Sequence, residues 1–168
     1  MKSVQITGKH NKEQLIYRDT GEKVVRSNAN YNEPSHLDQV SLVNKYYMGH
    51  SDTMETHMKR EIARKISGYK SQDMKKKIFD QAKIITLSNV LEKLVVSKLH
   101  CVYCKNEVKV LFTCVRDERQ WTLDRLDNNL CHSESNTVIC CLKCNLERRV
   151  MDVDKFTFTK QLKIKKLE

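Results

Sequence analysis

Two cysteine pairs with the same spacing, Cys101-x-x-Cys104 and Cys141-x-x-Cys144, constrain this chain more than any other feature. A C-x-x-C step lets one tight turn present two sulfurs on the same side. Two such steps, joined by a hairpin-sized insert, can bring four thiolates to the corners of a tetrahedron. That is the arrangement Zn²⁺ prefers, with Zn–S near about 2.3 Å. The region from Cys101 onward is short, and below about 70–80 residues an apolar core alone gives little net stability. A structural zinc supplies on the order of 10 kcal/mol of apparent binding energy, which is also folding energy. The spacing therefore predicts one structural Zn²⁺ on Cys101, Cys104, Cys141 and Cys144. Cys140 adjoins Cys141 and is an alternative ligand, but only Cys141 forms the x-x pair with Cys144. Cys114 and Cys131 lack pair spacing and read as ordinary residues, while His100, directly before the first knuckle, reads as a support for the ligands or a surface residue rather than a ligand.

The seven cysteines are an odd number for a disulfide framework, and nothing in the sequence points to secretion. No apolar run is long enough to span a bilayer. The opening Met1-Lys2-Ser3-Val4-Gln5-Ile6 has no apolar h-region behind it, so no secretory signal is expected. Mean hydropathy is −0.62 and 31% of residues are charged. The expectation is a soluble protein of a reducing compartment, cytoplasm or nucleus, with no membrane partner.

The formal charge is +10 and the pI about 9.3, which favours a polyanionic partner, most often nucleic acid. The excess is spread along the chain. Zinc-bound thiolates would make the second part less basic, leaving much of the electrostatic footprint to the first.

Three regions are expected: a polar, irregular arm over 1–50 with a short helix or strand in it, a helical region over 51–98, and a module over 99–168. Asp19-Thr20-Gly21 and Asn32-Glu33-Pro34-Ser35 read as turns. Asp52, with Glu55 three residues on, predicts a helix start. Met54, Met58, Ile62 and Ile66 form its apolar stripe, and Gly68 is its expected stop. A second helix is expected from about Ser71 to Ala82, carrying Lys75-Lys76-Lys77. A third starts at Thr86 and buries Val90, Leu91, Leu94 and Val95. Beyond the first cysteine pair, strands are expected over 108–112, 121–126 and 137–140, a helix over 142–150, and a last helix capped by Asp152.

Between the cysteine pairs lie Trp121-Thr122-Leu123-Asp124-Arg125-Leu126-Asp127-Asn128, then His132, then Asn136, with Asn145 directly after Cys144. From about Leu99 to Arg149 this resembles the HNH endonuclease family, in the subgroup with two C-x-x-C pairs around a ββα-metal site. The resemblance implies an α+β fold: a basic helical N-terminal region followed by a zinc-stabilised, treble-clef-like HNH module. It implies a metal-dependent endonuclease acting on DNA and leaving a 5′-phosphate and a 3′-hydroxyl. Asp124 matches the acidic metal ligand, Asn136 the asparagine that ties the loop together, and Asn145 the second metal ligand. A carboxylate and an amide oxygen suit Mg²⁺ or Mn²⁺.

Arg125 stands where many members carry the general-base histidine. An arginine cannot be a base near neutral pH, but it can clamp a phosphate. His132 is then the best remaining base; water activated by the metal or by the substrate phosphate is the other option. Arg148 and Arg149 follow on the last motif helix as phosphate contacts or as a solvated face. Trp121 reads as core. A second reading is a zinc-stabilised nucleic-acid-binding module with weak or lost catalysis. A third is a scaffold that docks a partner protein on the Met54/Met58/Ile62/Ile66 stripe.

Overall fold

Helices and one small antiparallel sheet form a mixed α+β architecture over residues 5–8, 11–13, 15, 23–27, 29–50 and 54–162, which the computed structural model describes. In chain order the elements are α1 (His36–Tyr47), α2 (Glu55–Lys75), α3 (Leu87–Val96), β1 (Trp121–Arg125), β2 (Thr137–Cys141), α4 (Leu142–Arg148) and α5 (Val153–Gln161). The turn expected at 19–21, the Asp52 cap and the tail beyond residue 162 lie outside the described residues.

Within residues 1–50, helix α1 begins at Ser35, whose side chain accepts from the Asp38 amide at 3.2 Å. It buries Gln39, Leu42 and Val43 and packs on α3. α2 differs from the sequence reading. It does not stop at Gly68 but runs on to Lys75, absorbing the start of the expected second helix. The apolar stripe explains why: Met58, Ile62, Tyr69 and Asp73 are all buried, so the inward face continues past the glycine. Gly68 costs about 1 kcal/mol of helix propensity, too little to break a helix anchored on both sides. The stop comes at Lys77, in the left-handed region at φ 58°. There the Lys77 amide donates to Met74 O at 3.1 Å and the Ile78 amide to Asp73 O at 3.0 Å. These two bonds form a Schellman motif with lysine in the usual glycine position.

α3 starts at Thr86 with a reciprocal capping box to Asn89 and buries Val90, Leu91 and Leu94. It delivers the chain to Leu99 and Cys101. The strand expected over 108–112 is absent. Val108, Val110, Leu111 and Phe112 are buried, but the amides of Val110 and Leu111 both donate to Gln39 Oε1, at 2.8 and 2.9 Å. The amide of Lys109 donates to Arg119 O at 2.8 Å. A buried side chain from α1 thus supplies acceptors that a partner strand would otherwise supply.

β1 and β2 pair antiparallel, with Trp121 opposite Cys141 and Asp124 opposite Val138. α4 follows β2 without a linker and ends at Arg148, two residues short of the expected Val150, with Arg149 (φ 52°) as its cap. Asp152 caps α5 by accepting from the Lys155 amide at 3.0 Å. One hydrophobic core joins Leu42 and Val43 of α1, Met58 and Ile62 of α2, the α3 face, Trp121 and Phe156. The Met58 and Ile62 side chains are fully enclosed in it, so this stripe is internal packing, and the scaffold reading loses the exposed surface it required.

Candidate functional site

The four paired cysteines converge. The sulfurs of Cys101, Cys104, Cys141 and Cys144 all lie within 4.8 Å of one another. Cys104 Sγ and Cys141 Sγ are 3.9 Å apart; a tetrahedron with metal–sulfur bonds of about 2.3 Å has edges of about 3.8 Å. Local backbone produces this geometry. The Lys105 amide donates to Cys101 O at 3.0 Å and Lys105 adopts φ 60°, closing the first knuckle. In the second, Cys141 is the N-cap of α4, and its sulfur accepts from the Cys144 amide at 3.4 Å. The four packed thiols hold their protons unequally. Hydrogen bonds from Cys141 and Cys144 pull the Cys101 thiol far down, and the same contact with Cys101 pushes Cys141 up to about 12. Four thiolates need a dication, and this cluster can hold a metal ion such as zinc. Cys140 is buried beside Thr122, at 3.2 Å from its Oγ1, and burial pushes its thiol well up. It stands outside the cluster, as do Cys114 and Cys131.

Beside this frame, β1, the 126–136 loop, α4 and one face of α2 enclose an open cleft of about 560 Å³. From the module, Asp124, Arg125, His132, Asn145 and Arg149 line it; from α2 and the cap residue that follows it, Arg64, Lys65, Tyr69, Gln72 and Lys76 form the facing wall. Lysines and arginines thus outnumber the lone Asp124 carboxylate on the lining.

Asp124 is buried. Its Oδ1 accepts from Arg148 Nη2 at 2.8 Å; its Oδ2 accepts from Arg148 Nε and, at 2.7 Å, from the Tyr103 hydroxyl. Arg148, read from the sequence as a phosphate contact or surface residue, is instead 2% exposed. Its remaining donors reach Arg125 O at 2.6 Å and Met151 O at 2.7 Å. The reason is charge: a carboxylate inside the core needs a counter-ion, and α4 places one opposite β1. The Asp124 bond holds the Arg148 guanidinium pKa above its ordinary value. Asn145, in the first turns of α4, donates to Thr122 Oγ1 at 3.0 Å and Leu123 O at 3.2 Å. Its Oδ1 has no hydrogen bond among the described residues.

Asn136 closes the loop, donating to Asp127 O at 2.9 Å and Cys131 O at 3.0 Å while its Oδ1 accepts from the Asp127 amide at 2.9 Å. Arg149 is exposed at the cleft mouth, and its carbonyl accepts from Asn128 at 3.1 Å. Arg125 is 6% exposed, with Nη1 donating to Leu130 O at 3.2 Å.

His132 is also buried, at 3% exposure. Its Nδ1 lies 2.7 Å from Asp73 Oδ1, and its ring stacks on Tyr69 with centroids 4.6 Å apart. Burial lowers its pKa below the ordinary imidazole value and outweighs the Asp73 carboxylate, which raises it. Burial thus disfavours the charged imidazolium. Nε2 has no hydrogen bond among the described residues, and the side chain lines the cleft.

Two contributors were not read from the sequence. Tyr103 sits inside the first knuckle, where the Cys101-x-x-Cys104 pattern drew attention to the sulfurs alone. Asp73 falls on the inward face of α2, four residues after Tyr69; an acidic residue on an apolar stripe was the available signal. Lys65, which also lines the cleft, stands 4.9 Å from the Trp121 ring, donates to Gln120 Oε1 at 3.0 Å, and burial lowers its pKa to about 7.

Comparison with models of protein families, with curated proteins and with solved structures finds no match. Among the described residues no helix is long and apolar enough to cross a membrane.

Proposed function

We propose that this protein is a metal-dependent endonuclease of the HNH kind, hydrolysing phosphodiester bonds in DNA. β1, β2 and α4 form its ββα-metal unit, and a structural Zn²⁺ on the four cysteines clamps the ends of that unit. The observation that carries the reading is the convergence of Asp124, Asn145 and His132 on one cleft walled by cationic side chains. A phosphodiester is a polyanion, and Lys76, Arg125 and Arg149 offer it counter-charge.

The donor set fits a hard divalent ion. A carboxylate has about four lone-pair sites. Arg148 and Tyr103 take three at Asp124 and leave one on Oδ1. Asn145 Oδ1 is a second oxygen without a partner. These two atoms would hold Mg²⁺ or Mn²⁺, which supplies positive charge to the scissile phosphate. The chain's own base is His132. Its Nε2 takes a proton from the attacking water as the water oxygen bonds to phosphorus. The P–O3′ bond breaks, and the departing oxygen is protonated from solvent, giving a 5′-phosphate and a 3′-hydroxyl. Arg125 beside Asp124 takes no proton; it is counter-charge.

The test is supercoiled plasmid incubated with Mg²⁺ or Mn²⁺, wild type against Asp124→Asn. Metal-dependent nicking that the substitution abolishes supports the enzyme. One observation favours the second reading, a zinc-stabilised nucleic-acid-binding module: Asp124 already has a cation partner in Arg148. Salt-sensitive DNA binding without cleavage by the wild type supports that module instead.

A further inference from the structure

We propose that Asp73, on α2 and far in sequence from the cysteine-framed module, is the positioning residue that makes His132 a base. This inference rests on the nuclease reading above. Asp73 is fully buried and grips His132 at two points. Oδ2 accepts from the His132 backbone amide at 2.8 Å, and Oδ1 faces Nδ1 at 2.7 Å. A carboxylate has no hydrogen to donate, so Nδ1 carries the proton and Nε2 carries the lone pair. The ring cannot rotate out of this arrangement. Tyr69 stacks on its face, and the Tyr69 hydroxyl accepts from the Leu123 amide at 2.9 Å, tying the stack to β1. The loop backbone is held as well: His132 O accepts from the Ile85 amide at 2.8 Å.

Arg125 completes the group. Its Nη1 lies 3.5 Å from Asp73 Oδ1, and both side chains are buried. The position where the resemblance expects a histidine base therefore supplies the counter-charge for the residue that orients a different histidine. Base, brace and counter-charge come from the loop, from α2 and from β1. The N-terminal helical region is then part of the active site, and the knuckle-framed module alone would lack an oriented base.

The experiment has two arms on the full chain. The first reads the imidazole nitrogens of His132 by ¹⁵N NMR in the wild type at pH 7.5, and needs no variant. Protonated Nδ1 and unprotonated Nε2 are expected. A proton on Nε2 would overturn the inference. The second compares plasmid nicking by the wild type and Asp73→Asn, with zinc content and circular dichroism as controls for folding. The substitution turns one of the two oxygens that face His132 into an NH2 group, which donates instead of accepting. The rate constant at saturating DNA is expected to fall by about 10²–10⁴-fold, the usual contribution of an oriented general base, with DNA affinity unchanged. The acidic limb of the pH–rate profile should move to lower pH. His132 is faced by Asp73, which raises its pKa, and by Arg125 and Lys76, which lower it, with the neutral Tyr69 ring stacked on it; removing the carboxylate removes the raising partner. A folded variant with the wild-type rate and limb would overturn the proposal. Wild-type protein that nicks nothing with either metal overturns the nuclease reading, and a protonated Nδ1 in that sample would show that the geometry was right and the activity wrong.

Discussion

The cysteine cluster and the cleft share α4, but they draw on the sequence in opposite ways. The cluster is local: each half is one C-x-x-C turn, and only the return of the hairpin joins them. The cleft is not. Its polar groups come from α2, β1, the loop and α4, and its key contacts span 59 residues between Asp73 and His132 and 24 between Asp124 and Arg148. This metal cluster is four copies of one ligand type at fixed spacing. A catalytic cleft needs unlike groups whose partners neutralise and orient them. The first leaves a pattern in the sequence; the second is defined by burial.

The comparison predicts different consequences of damage. The largest is at the cluster. Cys101→Ser should abolish metal retention and folding together, because binding energy of about 10 kcal/mol or more is folding energy in such a site. Metal analysis and circular dichroism check this, with about one zinc per chain expected in the wild type; a folded, soluble protein without zinc would contradict it. Next is the cleft. Arg148→Ala leaves Asp124 buried with only Tyr103, and should cost about 3–5 kcal/mol by thermal unfolding. Added Mn²⁺ should recover part of that loss if the cation occupies the Asp124 oxygens; no recovery would remove Asp124 from the ligand set.

Lys65 gives a smaller, pH-dependent effect. Its folded pKa, about 7, lies below the ordinary 10.5 because burial disfavours the ammonium. Between those values the unfolded chain binds more protons, so this group's contribution to stability rises with pH across the window and its destabilising effect is full below about pH 7. Lys65→Met should therefore gain most over the wild type near pH 7, and that advantage should shrink toward pH 10.5. Denaturant titrations at the two pH values read it out. The smallest effect is at Gly68, inside α2 with open space around a built Cβ. Gly68→Ala should stabilise by about 0.4–1 kcal/mol; a loss of stability would mean the helix does break there.

The same contrast explains how much was legible beforehand. The four clustering cysteines, the Thr86 start of α3, the paired strands and the Asp152 cap all rest on short-range rules, and the structure has each of them. Gly68 misled because a local stop signal met a stripe that continued through Tyr69 and Asp73. The 108–112 segment misled because its apolar residues are core, while its amides are satisfied by Gln39 from α1. Arg148 was placed on the surface because nothing next to it in sequence announces a buried carboxylate. In the cleft, residue types near the cysteine pairs were readable, but their partners were not: Tyr103 and Asp73 become contributors only once tertiary packing encloses Asp124 and His132.

The most direct test of the central claim, that the cleft rather than the cysteine frame performs the chemistry, is plasmid nicking by His132→Ala protein that still carries one zinc per chain. Nicking reduced by about 10²–10⁴-fold, with zinc and DNA binding retained, is the predicted result. Nicking at the wild-type rate would contradict the account.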